Sequence, residues 1–135
     1  MLNRLTDSLD FQGQALMLRS ERQRLVASNI ANADTPGYVA RDINFAQALR
    51  QATGSGAPAA QLAASQAGHI TSQAGTGGLG SALVYAAPSQ TNLDRNTVDM
   101  DRERASFTDN AVKYEATLRF IGANVRTTLS AITGQ

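Results

Sequence analysis

The sequence predicts a mostly α-helical chain. Long N- and C-terminal helices form an antiparallel coiled-coil layer, joined by an irregular Gly/Ala-rich middle with a short β element. Two observations carry this. Apolar residues recur at steps of three and four at both ends of the chain, and the segment from Gln51 to Leu93 contains no Asp, Glu, Lys or Arg. A third is compositional: aromatic residues make up 5% of the chain and tryptophan is absent, so a core built on large rings is not available. The expected division is 1–35 for the N-terminal helix, 36–95 for the middle and 96–135 for the C-terminal helix.

In the first segment Leu2, Leu5, Leu9, Gln12, Leu16, Arg19, Gln23, Val26, Ile30 and Ala33 follow a heptad seam with polar breaks. Phe11, Ala15, Leu18 and Leu25 lie on an adjacent face and widen the apolar surface. Asp7 and Asp10 come early, where a helix dipole favours acids, and Arg19, Arg22 and Arg24 come later. A helix over 3–32 would be about 45 Å long. It ends at Asn29-Ile30-Ala31-Asn32-Ala33-Asp34-Thr35-Pro36-Gly37-Tyr38. Asn29 and Asn32 can bond nearby backbone and compete with helix continuation. Thr35 precedes proline and is pushed toward extended geometry, and Pro36-Gly37 fits the centre of a type II turn.

Beyond the turn, Val39, Ile43 and Phe45 share one side of an extended run, and Asn44 is placed to cap a short helix through Ala48 and Leu49. Residues 51–83 hold seven of the eleven glycines and form no periodic stripe. Leu83-Val84-Tyr85 reads as a short strand stopped by Pro88. In the last segment Phe107, Ala111, Tyr114, Leu118, Ile121, Val125, Thr128 and Ile132 alternate four and three without a break. Asn96 or Thr97 is expected to cap this helix, with acids in its first turns and Gly134 just past its end. Such a stripe also suits an amphipathic helix on a globular core. Coiled-coil pairing is favoured because both ends carry it.

Catalytic chemistry has little to build on. The single histidine, His69, lies in the uncharged tract without an acid to orient it, and there is no cysteine. Gly75-Thr76-Gly77-Gly78 lacks the Gly-Lys-Ser/Thr ending of a phosphate loop. Net charge is +1, and the arginines at 19, 22, 24, 102 and 104 are mixed with acids and lack interleaved aromatics, which argues against nucleic acid. Asp99, Asp101 and Glu103 read as helix-start acids rather than as a carboxylate site. The longest wholly apolar run, Ala82 to Ala87, is too short to span a bilayer, and Asp7 and Asp10 interrupt any secretory h-region. No cofactor and no enzymatic activity are expected.

The stretch Ser28 to Tyr38 resembles the signature of the flagellar axial proteins, the rod and hook subunits of the bacterial flagellum. The run Leu93 to Glu103, with Phe107, Asn110 and Tyr114 beyond it, resembles the start of the C-terminal helix in a proximal-rod member of that family. Met1-Leu2, Gln12 and Arg22-Gln23 are similar too, so the likeness covers most of 1–50 and 84–118, with a looser echo at Gly68-His69-Ile70. The chain departs from the family at Arg95, where glycine is usual. The resemblance implies a structural subunit of the proximal rod, exported through the flagellar type III apparatus without a cleaved signal, working in the periplasmic part of the basal body. It implies as partners other rod subunits, the rod–membrane-ring junction protein FliE, the membrane ring and the export gate. The signature turn (Asn29, Asn32, Thr35, Pro36, Gly37, Tyr38) would form a lateral subunit contact. An assembly interface is expected at Leu5, Leu9, Leu16, Val26, Ile30, Phe107, Tyr114, Leu118, Ile121, Val125 and Ile132. Another proximal rod subunit of the family, or a soluble helical adaptor or export chaperone, are the alternatives.

Overall fold

A computed structural model describes residues 2–54, 83–85 and 93–134, with side chains from residue 6 onward. His69, the Gly75–Gly78 run, Pro88, most of the uncharged tract and the Leu5 side chain lie outside the described residues. The elements in order are α1 (Leu2–Ala31), β1 (Arg41–Ile43), α2 (Phe45–Ala52), β2 (Leu83–Tyr85) and α3 (Met100–Thr133). Contacts run from Gln12 to Asn124, from Gln23 to Asn110 and from Asn29 to Glu103, so α1 and α3 are antiparallel.

α1 carries no acid in its first turn and no base in its last. The dipole reading of Asp7, Asp10 and the arginines is therefore corrected, because that field acts within the terminal turns and these residues lie inside the helix. Its second stripe has a clear use. Leu18 joins Ile43 and Ala48 in a small buried cluster, with Leu25, Phe45, Leu49 and Leu83 packed against it. Burying one such leucine stabilises by about 1.5–3 kcal/mol. Phe11, on the same face nearer the N-terminus, remains half exposed.

The turn after α1 forms as its residues dictate. Tyr38 N–H donates to Thr35 O at 3.3 Å and Gly37 adopts φ +73°, the positive value a type II turn demands at that position. β1 pairs antiparallel with β2, Arg41 with Tyr85, Asp42 with Val84 and Ile43 with Leu83. Val39 precedes the strand and is exposed, and Phe45 opens α2, so the expected single-sided run shrinks to Ile43. Asn44 caps α2 by accepting from Gln47 N–H.

α3 is capped by Asp99, whose carboxylate accepts from the Asp101 and Arg102 N–H groups. This corrects the expected cap at Asn96 or Thr97: both of those side chains are engaged elsewhere. At the far end Gly134 takes a left-handed conformation (φ 73°) and its N–H donates to Ser130 O.

Candidate functional site: a polar junction and two apolar stripes

The approach to α3 lies alongside the turn that leaves α1. Gly37 N–H donates to Asp94 O at 2.7 Å, Thr97 N–H to Tyr38 O at 3.1 Å, and Ala40 N–H to Thr97 Oγ1 at 2.8 Å. Asn96 supplies the anchor. Its amide nitrogen faces the carbonyls of Asn32, Ala33 and Thr35 at 2.9, 2.7 and 2.9 Å, and its Oδ1 accepts from Val98 N–H. A helix C-terminus leaves carbonyls without intrahelical partners. Here a side chain from more than sixty residues along the chain meets the carbonyls just past α1. Arg95, immediately before it, holds φ at +55°. The position where glycine is usual is thus a left-handed one, which a glycine adopts without the Cβ penalty.

Asn29, only 1% exposed, ties three parts of the chain together. Its Nδ2 donates to Arg41 O (2.8 Å) and Glu103 Oε2 (3.1 Å), while its Oδ1 accepts from Arg41 N–H (3.1 Å) and Tyr38 O–H (3.2 Å). All its bonding capacity is spent. The local competition expected of this residue is corrected: burial turns it across the junction, whereas Asn32 does bond back to Ser28 O. Beside it, Arg22 grips Asp42 with two bonds of 2.8 and 2.9 Å. That bond to Asp42 raises the Arg22 pKa further above its usual range. Burial pushes Glu103 up from the usual glutamate value, with the Asn29 bond opposing and Asp42 adding to the rise.

Further along, the polar breaks of the α1 seam meet asparagines on α3. Asn110, 1% exposed, donates to Arg19 O (2.8 Å) and Gln23 Oε1 (2.6 Å), and Asn124 donates to Gln12 Oε1 (3.3 Å). Arg19 lies 4.6 Å from the centre of the Phe45 ring, a cation–π distance, and burial lowers its pKa. Polar seam positions of this kind select a register at some cost in stability. Part of that cost is visible, since Arg19 Nε and Asn110 Oδ1 are buried without a hydrogen-bond partner.

The seam residues divide into two groups. Val26 is enclosed by its own chain at 1% exposure, and Leu9, Leu16, Ile30, Tyr114 and Ile121 are half-buried. Phe107, Leu118, Val125 and Ile132 remain exposed on α3. The sequence reading missed Val112, Phe120, Leu129 and Met17, which are also exposed. They fall outside the single heptad seam, and only a count of apolar residues on the remaining faces would have found them. The outer surface carries the ion pairs Lys113–Asp109, Arg119–Glu115 and Arg24–Glu21, one helical turn apart. Exposed to solvent and screened by salt, these pairs add little to stability. No described helix is long and apolar enough to cross a membrane.

Comparison with known proteins bears directly on these features. A family described as "Flagella basal body rod protein" matches residues 9–38, the span from mid-α1 through the Pro36-Gly37 turn. The chain is 45% identical to the flagellar basal body rod protein FlgB of Salmonella typhimurium strain LT2, over 99% of each chain. It is 44% identical to FlgB of Proteus mirabilis strain HI4320 over 98% of each, and 39% identical to FlgB of Cereibacter sphaeroides over 96% of each.

Proposed function

The chain belongs to the FlgB family of flagellar basal body rod proteins, and on that premise we propose that it builds the rod by packing the exposed stripe of α3 against neighbouring subunits. The observation that supports this reading is the exposure of Phe107, Leu118, Val125, Leu129 and Ile132 along a helix whose principal contact is α1. At roughly 25 cal/mol per Å² of apolar area, a stripe of this length left in water is a large unused driving force. Repeated head-to-tail contacts that do not close on themselves make a helical tube.

In this reading the chain divides into an N-terminal helix (1–35), a middle (36–95) and a C-terminal helix (96–135). The terminal helices form the rod layer, and the turn at Thr35-Pro36-Gly37-Tyr38 contacts a lateral neighbour. Val26 serves the internal seam, while Leu9, Leu16 and Ile30 contribute their uncovered edges to the interface, and Leu5 extends it toward the N-terminus. The role is structural and non-catalytic: torque is carried by many distributed helix contacts. The subunit sits in the proximal, periplasmic rod, reaches it without a cleaved signal, and adjoins other rod subunits, FliE, the membrane ring and the export gate.

The test is mass spectrometry of purified hook–basal bodies from cells making the chain at native level. A fixed ratio to other rod subunits is expected. Absence from intact basal bodies, despite expression, would transfer the stripe to an adaptor or chaperone role.

A further inference from the structure

We propose that Phe11 of one copy of this chain seats in a socket around Gly122 of the next, joining the outer edge of α1 to the outer edge of α3. The contact rests on the rod reading and names the neighbour of the α3 stripe: a second copy, side by side and in the same orientation.

Gly122 supplies the socket. It sits inside α3, where a glycine weakens the helix relative to alanine. A Cβ built on it would meet nothing within 4 Å, so no packing inside its own chain calls for a glycine there. Leu118, Val125 and Leu129 stand beside it on the helix surface, at four residues before and at three and seven after, and all three are exposed. Asn124, two residues on, contacts α1 through Gln12. Two residues rotate a helix by about 200°, so the socket points away from α1.

Phe11 supplies the knob. It shares a strip with Leu18 and Leu25, which pack in the cluster with α2, yet it remains 49% exposed. It is one residue, about 100° of rotation, from Gln12, and so points off the opposite edge of the α1–α3 pair. The bond from Asn124 to Gln12 sets knob and socket at one level of the hairpin. One chain cannot join its own two edges. Two copies side by side can, without a shift along the helices, and the contact then repeats from copy to copy.

Charge favours this pairing and its orientation. Asp7 and Asp10 near the knob are exposed, as is Arg126 beside the socket, and among the described residues none of the three is in an ion pair. Copies in the same orientation set an acidic edge of α1 against a basic edge of α3. Inverted copies would set like edges together.

Two experiments on the full chain test the contact. Gly122→Leu fills the socket and removes a helix-weakening residue, so the free subunit should keep its helicity and a urea midpoint at least equal to the parent's. Its incorporation into basal bodies is expected to fall about tenfold or more. Incorporation at the parent's level would overturn the proposal. In the second, a photo-reactive phenylalanine analogue replaces Phe11 and intact basal bodies are irradiated. The expected product is a dimer of this chain, crosslinked from position 11 to residues 118–129. A crosslink to a different rod subunit, or none to another copy in basal bodies that contain the variant, rejects the second copy and leaves the rod reading standing. Absence of the parent chain from basal bodies would instead remove the rod reading and this contact with it.

Discussion

Arg95 holds its backbone at φ +55°, a conformation that costs a residue with a Cβ about 1 kcal/mol or more. Part of any gain from glycine there returns as unfolded-state entropy. Arg95→Gly is expected to stabilise the chain by about 0.5–1 kcal/mol, read as a higher urea midpoint at unchanged slope. The two buried asparagines of the junction point the other way. Removing Asn29 would take a partner from Arg41 N–H and O and from Glu103, and leave the Tyr38 hydroxyl with Ser28 alone. Asn29→Ala should cost about 2–4 kcal/mol. Asn96→Asp should cost at least about 2 kcal/mol, because it sets a carboxylate against the carbonyls of Asn32, Ala33 and Thr35. Should either variant unfold at the parent's midpoint, the junction is not what orders residues 32–40 and 94–98.

At the level of elements, α1 serves three neighbours with two faces. Its heptad seam meets α3 through Asn110 and Asn124, and its second stripe meets β1 and α2 through Leu18 and Leu25. Arg22 links the second contact to β1 by a two-pronged grip on Asp42. Asp42 is more than a third exposed, so solvent screening reduces the value of the pair to about 1 kcal/mol. A double-mutant cycle of Arg22→Ala and Asp42→Ala should return a coupling of that size. Arg22→Lys should lose most of it, since an ammonium cannot make both bonds in the same geometry. Additive single-mutant losses would show that the two residues act separately.

For the molecule as a whole, folding and assembly can be separated by mutation because the apolar residues divide by exposure. Val125 and Leu129 are 49% and 59% exposed, so Val125→Asp and Leu129→Asp should leave the helicity of the free subunit close to that of the parent. The same variants should be missing from purified basal bodies and should abolish motility, whereas His69→Ala should swim. Normal incorporation of both aspartate variants would remove this face of α3 from the subunit contact.

How far the structure was legible from residues alone depends on the range of the forces involved. The helices, the Pro36-Gly37 turn, the Asn44 cap, the Gly134 stop and the strand at Leu83–Tyr85 were legible, because each rests on local backbone preference and on apolar spacing within a few turns. The polar breaks at Gln12, Arg19 and Gln23 were visible too, though not their partners. The sequence by itself determined two long amphipathic helices, an uncharged middle and membership of a rod family through its two signatures. Only the tertiary structure decided that those signatures meet, with Asn96 anchored on the end of α1 and Asn29 reaching Glu103. The physical reason is that a buried amide takes whichever partner removes it from water in a satisfied state, and that partner can lie anywhere along the chain. For the same reason Asp99, left facing solvent, became the cap that Asn96 and Thr97 were too occupied to supply.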